Sequence, residues 1–222
     1  MFTKQLVNLL KHELTLEMKQ KHFISSIVLY IVSTIFVCSL SFTSISETSI
    51  WNALFWIIIL FSLTNAISKS FLNENSDKQL FLYTLINPRV LIASKILYNL
   101  VLSILLVILS FVVFSIFIQS DGLKNMNYWL FFLAVILGST SLSSTLTMVS
   151  AIASKTNNNI GILSILAFPI LIPSILLSIQ FSNLAINGGN TEMAGHFIVF
   201  LSLINLLIII LSFLLFPYLW RE

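Results

Sequence analysis

Six long apolar segments constrain the fold of this chain more than any other feature of its sequence. These segments are 23–42, 50–68, 96–118, 128–153, 160–182 and 197–219. A helix needs about 20 predominantly apolar residues to cross the hydrocarbon core of a bilayer, and the segments meet that length. The alternation typical of membrane β-strands is absent from these continuous runs. The sequence therefore predicts an all-α, polytopic membrane protein with six transmembrane helices.

The composition supports lipid as the solvent for most of the protein surface. Charged residues make up 9% of the 222 residues, whereas a soluble domain carries about 25%. So few charged side chains cannot cover a water-soluble globule, and we expect a single transmembrane domain over residues 1–222. The net charge of +3 does not indicate nucleic-acid binding, because the basic residues flank apolar segments, where they lie near lipid headgroups.

The basic residues fall almost entirely on one predicted side of the membrane. Ten of the eleven lie in segments that share a side when the six helices cross in turn. These ten are Lys4, Lys11, Lys19, Lys21, Lys69, Lys78, Arg89, Lys95, Lys155 and Arg221. The loops on the opposite side, near 43–49, 119–127 and 183–196, contain a single basic residue, Lys124. Because basic loops face the cytoplasm, we expect both termini to be cytoplasmic.

The segment before the first span, residues 1–22, predicts a helix of a different kind. Leu6, Leu9, Leu10 and Leu14 recur at helical spacing among the lysines. This pattern is typical of an amphipathic helix in the membrane interface, whose lysine stems extend toward water. The alternative is a plain, positively charged flank to the first span.

Residues 69–95 form the largest predicted loop on the basic side, and the middle of that loop predicts a short helix. Ser76 and Gln79 have the spacing of a capping box at a helix start. Pro88 ends the element, because Asn87 before it is disfavoured in a helical conformation. The apolar surface of this predicted helix comes from Leu80, Phe81, Leu82, Leu85 and Ile86. Such a surface needs to be covered by the membrane surface, by the ends of the spans or by a partner protein.

Several mechanisms are disfavoured by residues that the sequence lacks. No Lys, Arg, Asp or Glu lies at the centre of a predicted span, whereas proton-driven carriers place ionisable groups there. No glycine is followed by lysine, so the chain has no phosphate-binding Gly-Lys loop for ATP. The sequence also shows no pair of a nucleophile and a base that would indicate an intramembrane enzyme. We therefore expect a non-catalytic protein with no catalytic residues and no metal site.

Only a few residues within or next to the spans are candidates for special roles. Gly138 and the hydroxyl-rich run 139–154 favour close helix packing. Pro169 and Pro173 each remove a helix hydrogen bond, so the fifth span is predicted to be kinked or broken there. That feature either bends the helix to fit the bundle or forms a gate or re-entrant turn. His196 is a candidate haem ligand, although a lone interfacial histidine is more often a solvated polar group, and we assign no firmly bound cofactor.

Two motifs resemble a known family of membrane subunits. The stretch 76–88, which reads Ser-Asp-Lys-Gln-Leu-Phe-Leu-Tyr-Thr-Leu-Ile-Asn-Pro, is similar to the loop after the second span in the CcmB (haem exporter protein B) family. The segment 161–173, with both prolines, is similar to the fifth span of that family. Length and topology also resemble the family. The chain departs from the family after Lys155, where three asparagines stand in place of the frequent basic and glycine residues.

The resemblance implies an ABC-2-type permease fold with an N-terminal interfacial helix and a cytoplasmic coupling helix. It implies a place in the bacterial cytoplasmic (inner) membrane and a role in haem export or delivery for cytochrome c maturation, with haem as cargo of the complex. The implied partners are an ABC ATPase (CcmA-like), a haem-handling subunit (CcmC-like), a small accessory subunit (CcmD-like) and a second permease copy. The implied ATPase-coupling residues are Ser76, Asp77, Gln79, Leu80, Phe81, Leu82, Leu85 and Ile86.

Two other functions remain open on the residues alone. One is an ABC-2-type exporter permease for a lipid, drug or other small molecule. The other is an autonomous secondary carrier, whose sodium sites can be built from carbonyl and hydroxyl oxygens.

Overall fold

Within the residues that the structure describes, the chain consists of seven α-helices without a strand. This computed structural model describes residues 2–19, 21–42, 47–68, 87–118, 126–154, 160–189 and 191–219. In chain order the helices are α1 (Phe2–Lys19), α2 (Lys21–Ser41), α3 (Thr48–Ile67), α4 (Pro88–Phe117), α5 (Tyr128–Ala153), α6 (Ile160–Ile186) and α7 (Thr191–Leu219). The predicted all-α fold class is confirmed.

Five of the described helices, α3 to α7, are long and apolar enough to cross a membrane. The helix α2 contains a shorter apolar stretch, Ser25–Ser41, which falls below the length of the other five. Five of the predicted spans therefore appear as helices of spanning length. The first predicted span, 23–42, stays a prediction.

The third span begins at Pro88, earlier in the chain than the predicted start at residue 96. Pro88 occupies the first turn of α4, and Asn87 caps the helix in an extended conformation (φ −67°, ψ 127°). The Asn87 side chain accepts a hydrogen bond from the backbone N–H of Arg89 at 3.0 Å. Proline is well tolerated at this position, because its missing N–H would have no helical partner. Asn87 thus lies outside the helix as predicted, but residues 88–95 belong to α4 rather than to the loop.

The fifth span is helical through both of its prolines. Pro169 and Pro173 lie within α6, and both are exposed at the surface of the bundle. In hydrocarbon the helix is strongly favoured, because an irregular backbone facing lipid leaves polar groups without partners. The predicted break and re-entrant turn therefore do not occur. A bend at the prolines stays a prediction.

The helix α5 lies at the centre of the bundle, in contact with α3, α4, α6 and α7. All of its residues from 141 to 150 are buried. By contrast, α7 exposes apolar side chains along most of its length. They include Val199, Phe200, Leu203, Leu206, Leu207, Ile210 and Leu214. This arrangement makes α5 the element through which the other spans are connected.

An aromatic cluster fixes one end of the bundle. The Trp51 ring lies 5.1 Å from Phe114 and 5.8 Å from Phe55, and Phe55 lies 5.7 Å from Phe131, measured between ring centroids. The indole N–H of Trp51 donates a hydrogen bond to the carbonyl of Ile118 at 3.0 Å. Ring pairs in such arrangements contribute about 0.5–1.5 kcal/mol each beyond their burial. These contacts join the starts of α3 and α5 to the end of α4.

The N-terminal helix α1 packs against α4 at the opposite end of the bundle. Leu6, Leu9 and Leu10 are half-buried, whereas Asn8 and Lys11 are exposed. The predicted amphipathic helix is therefore present. Its position in the membrane interface stays a prediction.

Candidate functional site

Polar side chains from four helices meet in the interior of the bundle and form what we call the polar seam. Its members come from α3, α5, α6 and α7, and each is buried or half-buried. The polar seam consists of Asn52, Trp56, Ser141, Ser144, Ser174, Ser178, Ser182, Asn183 and Asn205. A buried polar group is costly unless it is hydrogen-bonded, so these residues fix how the helices pack.

The first half of the polar seam joins α3 to α6 through Asn52. Its amide nitrogen donates to the Asn183 side-chain oxygen at 2.8 Å and to the carbonyl of Ile179 at 3.1 Å. Its amide oxygen accepts a hydrogen bond from the Ser182 hydroxyl at 2.9 Å. The Trp56 indole donates in turn to the Ser182 oxygen at 2.8 Å. Both ends of the Asn52 amide are thereby satisfied in the interior.

The second half of the polar seam joins α5 to α6 and to α7. The Ser141 hydroxyl donates to the Ser174 hydroxyl oxygen at 3.1 Å. The Ser144 hydroxyl lies 3.5 Å from the side-chain oxygen of Asn205 on α7. The Asn205 amide donates back to the carbonyl of Leu137 on α5 at 3.3 Å. Asn205 is therefore a polar anchor that holds the otherwise apolar α7 to α5.

Gly138 allows α3, α5 and α6 to meet where the two halves of the polar seam adjoin. A Cβ at this position would collide with the Trp56 ring on α3 and would lie 2.5 Å from the Ser178 oxygen on α6. Only glycine leaves room for both side chains. The predicted packing role of Gly138 and the hydroxyl residues after it is confirmed by these contacts.

A buried ion pair lies at the end of the bundle where α1 packs. The Lys95 ammonium on α4 is 2.8 Å from a carboxylate oxygen of Glu13 on α1, and the two side chains are 6% and 14% exposed. One turn further along α4, the Asn99 amide donates to the Thr147 hydroxyl of α5 at 2.9 Å. Removing one partner of a buried pair strands the other charge and destabilises a protein by about 3–5 kcal/mol. The pair therefore fastens α1 to the third span.

The predicted ATPase-coupling residues, from Ser76 to Ile86, lie outside the described residues. Both flanks of that segment are attached to the bundle. On one side the Ser150 hydroxyl of α5 donates to the carbonyl of Ser68 at 3.2 Å, and on the other side Asn87 caps α4. The segment thus connects two fixed points, one at the end of α3 and one at the start of α4.

The candidate haem ligand His196 lies in α7 and is exposed. In the described part of the chain, no group of three or more His, Cys, Asp or Glu side chains is placed to hold a metal ion. The polar seam contains amides, hydroxyls and an indole, and none of its members is a carboxylate, lysine or histidine. These groups position helices, and they offer no acid–base pair for catalysis.

Comparison with protein families gives a match. A family model described as CcmB protein matches residues 4–217, which includes all or most of every described helix. No curated protein and no solved structure matches the chain. The family implies the permease component of an ABC-type haem exporter in cytochrome c maturation. By this match over nearly its whole length, the chain belongs to the CcmB family.

Proposed function

We propose that this chain is the permease subunit of an ABC-type complex that acts in haem export or delivery for cytochrome c maturation. The observation that carries the proposal is the family match over residues 4–217. Since the sequence has no Gly-Lys loop for ATP, a separate CcmA-like ATPase supplies the energy. A CcmC-like subunit handles haem, a CcmD-like subunit assists it, and two permease copies pair across the complex.

The proposed topology has six spans with both termini in the cytoplasm. At 1.5 Å per residue, the apolar stretch of α2 (Ser25–Ser41) extends for about 26 Å. That length is close to the hydrocarbon thickness of about 30 Å, and modest thinning of the bilayer makes up such a difference at little cost. The basic residues next to α2 and in the loops then share the cytoplasmic side.

The coupling mechanism uses the two attached flanks of the predicted coupling segment. We expect the apolar residues from Leu80 to Ile86 to dock in a groove of the ATPase dimer. A displacement of this segment passes to α3 and α5 at Ser68, and to α4 at Asn87. Because Glu13 is paired with Lys95, α1 follows α4. The spans therefore move as connected bodies rather than one at a time.

Deletion of the gene followed by haem staining tests the proposed pathway. Covalently attached c-type cytochromes should disappear and should return when the full chain is supplied in trans. Normal cytochromes in the deletion strain would contradict the proposal and would favour an ABC-2-type permease for a lipid, drug or other small molecule.

Co-purification tests the coupling segment. We expect Leu82→Glu or Leu85→Glu to abolish recovery of the ATPase with the permease, because a carboxylate cannot enter an apolar groove without losing its hydration. The matched control is Asn8→Glu, which adds the same charge at an exposed position of α1 and should keep the ATPase bound. An intact complex in both Leu variants would contradict the docking model. Transport in vesicles that contain no ATPase would instead indicate an autonomous carrier.

A further inference from the structure

A cavity of about 180 Å³ lies between the first turn of α4 and the last turns of α7. Its lining consists of Arg89, Phe213, Leu214, Pro217 and Tyr218. Arg89 and Tyr218 are exposed, and Tyr218 keeps 74% of its surface open. The cavity thus combines a guanidinium and a phenol at its rim with an apolar wall of Phe213, Leu214 and Pro217.

The lengths of the two helices place this cavity at the level of the lipid headgroups. The helix α4 has 30 residues and α7 has 29, so each extends for about 44 Å at 1.5 Å per residue. The hydrocarbon core is about 30 Å thick, so the terminal turns of both helices project into the headgroup region. Tyrosine is enriched at this depth, where its ring is in an apolar region and its hydroxyl is hydrated.

The Arg89 guanidinium at the cavity rim has no acidic partner within the described part of the chain. Arg89 forms no ion pair there, and none of the described residues that line the cavity is acidic. The backbone N–H of Arg89 is already bonded to the Asn87 side chain, so the guanidinium remains as the anion-binding group. Its fork of N–H donors matches a phosphate in a bidentate manner.

We propose that this cavity binds an anionic phospholipid, with its phosphate at the Arg89 guanidinium and an acyl chain along Phe213 and Leu214. A lipid satisfies both features of the cavity, because its phosphate neutralises the cation and its chain covers the apolar wall. The bound lipid bridges the start of α4 and the end of α7, and thereby joins the helix next to the coupling segment to the peripheral helix of the bundle.

Native mass spectrometry of the purified full chain tests this site. The chain is titrated with phosphatidylglycerol, and with phosphatidylcholine of the same acyl chains. We expect one tight phosphatidylglycerol adduct on the wild-type chain. Since a cation near anionic lipid contributes about 1 kcal/mol, Arg89→Gln should weaken that adduct about fivefold and should weaken phosphatidylcholine binding less, because the choline cation offsets the charge of its phosphate. Arg89→Lys should restore part of the affinity, because it keeps the charge and loses the fork.

A control variant and a competing anion distinguish a specific lipid site from general surface attraction and from a site for free anions. Lys11→Gln removes one exposed cation from α1 and should leave the adduct intact. An equal loss in both variants would indicate general surface attraction and would overturn the proposal. Displacement of the lipid by millimolar inorganic phosphate would overturn it too, by indicating a site for free anions. Unchanged lipid binding in Arg89→Gln, with reduced recovery of partner subunits, would assign the cavity to a protein contact instead.

Discussion

The central helix α5 is mostly buried and rich in hydroxyl residues, whereas the peripheral helix α7 is mostly exposed and apolar. In α5, 18 of the 26 residues are buried, and they include Ser139, Ser141, Ser143, Ser144, Thr145, Thr147 and Ser150. In α7 most residues are half-buried or exposed, and leucine is the commonest of the exposed side chains. The interior of the bundle is thus its more polar part, and the rim is its more apolar part.

This difference shows what holds the bundle together. Lipid chains are as apolar as leucine, so burying a leucine between helices has little advantage over leaving it in lipid. Small hydroxyl residues instead let helices approach closely and form hydrogen bonds between them. Substitutions in the interior should therefore be costly even when they are small, whereas matched substitutions on the rim should be mild.

The largest expected effect comes from the buried ion pair at the end of the bundle where α1 packs. Lys95→Met removes the ammonium that pairs with the largely buried Glu13 carboxylate and should destabilise the protein by about 3–5 kcal/mol. The measurement is the recovery of folded protein by gel filtration in mild detergent, together with its melting temperature. Lys11→Met removes an exposed lysine from α1 and serves as the control. Equal behaviour of the two variants would show that burial of Lys95 has no energetic consequence.

The sharpest comparison uses the same substitution in both helices. Gly138→Ala in α5 collides with the Trp56 ring and the Ser178 side chain, and such overpacking costs about 1–3 kcal/mol. Gly195→Ala in α7 meets no atom within 4 Å and should stabilise the helix by up to about 1 kcal/mol. The melting temperatures should therefore shift in opposite directions. Shifts of the same sign would contradict the contrast between interior and rim.

A smaller effect is expected where the rim is anchored to the interior. Asn205→Leu removes the contacts of α7 with Ser144 and with the carbonyl of Leu137. Interhelical hydrogen bonds in membranes contribute about 0.6 kcal/mol on average and up to about 1.7. Ser202→Leu, at an exposed position of the same helix, should be neutral. If thermal melts cannot distinguish the two variants, Asn205 has no anchoring role.

The smallest effect is expected at His196, which is exposed in α7. Since no group of metal-binding side chains accompanies it in the described residues, His196→Ala should retain full haem staining of c-type cytochromes. Loss of staining without loss of protein would instead make His196 a haem ligand and would give the rim a chemical role.

The helices were predictable from the sequence because an apolar run is a local signal. The fourth predicted span, 128–153, has the bounds of α5 itself. The hydroxyl residues within it were also interpretable, because small residues in a membrane helix favour packing. Neither prediction needed information about which helices are neighbours.

The ion pair and most of the polar seam were not predictable in the same way. Lys95 is the last residue of the predicted loop 69–95, so its charge indicates a cytoplasmic position, and its burial depends on Glu13 far along the chain. Asn52, Asn183 and Asn205 are isolated amides in or next to apolar runs and have no periodic pattern. A search for every polar side chain inside an apolar run would have selected Asn52 and Asn205, because each must find a partner. It would not have identified the partners.

The Glu13–Lys95 pair also has a consequence for the order in which the chain assembles. Glu13 is synthesised before α2 and α3, whereas Lys95 follows both of them. The ion pair with Lys95 therefore cannot form while the first two membrane helices insert, and α1 can complete its packing against α4 only after the start of α4 has emerged. The Glu13–Lys95 pair is thus made late, and it can form only after α2, α3 and the start of α4 have been synthesised.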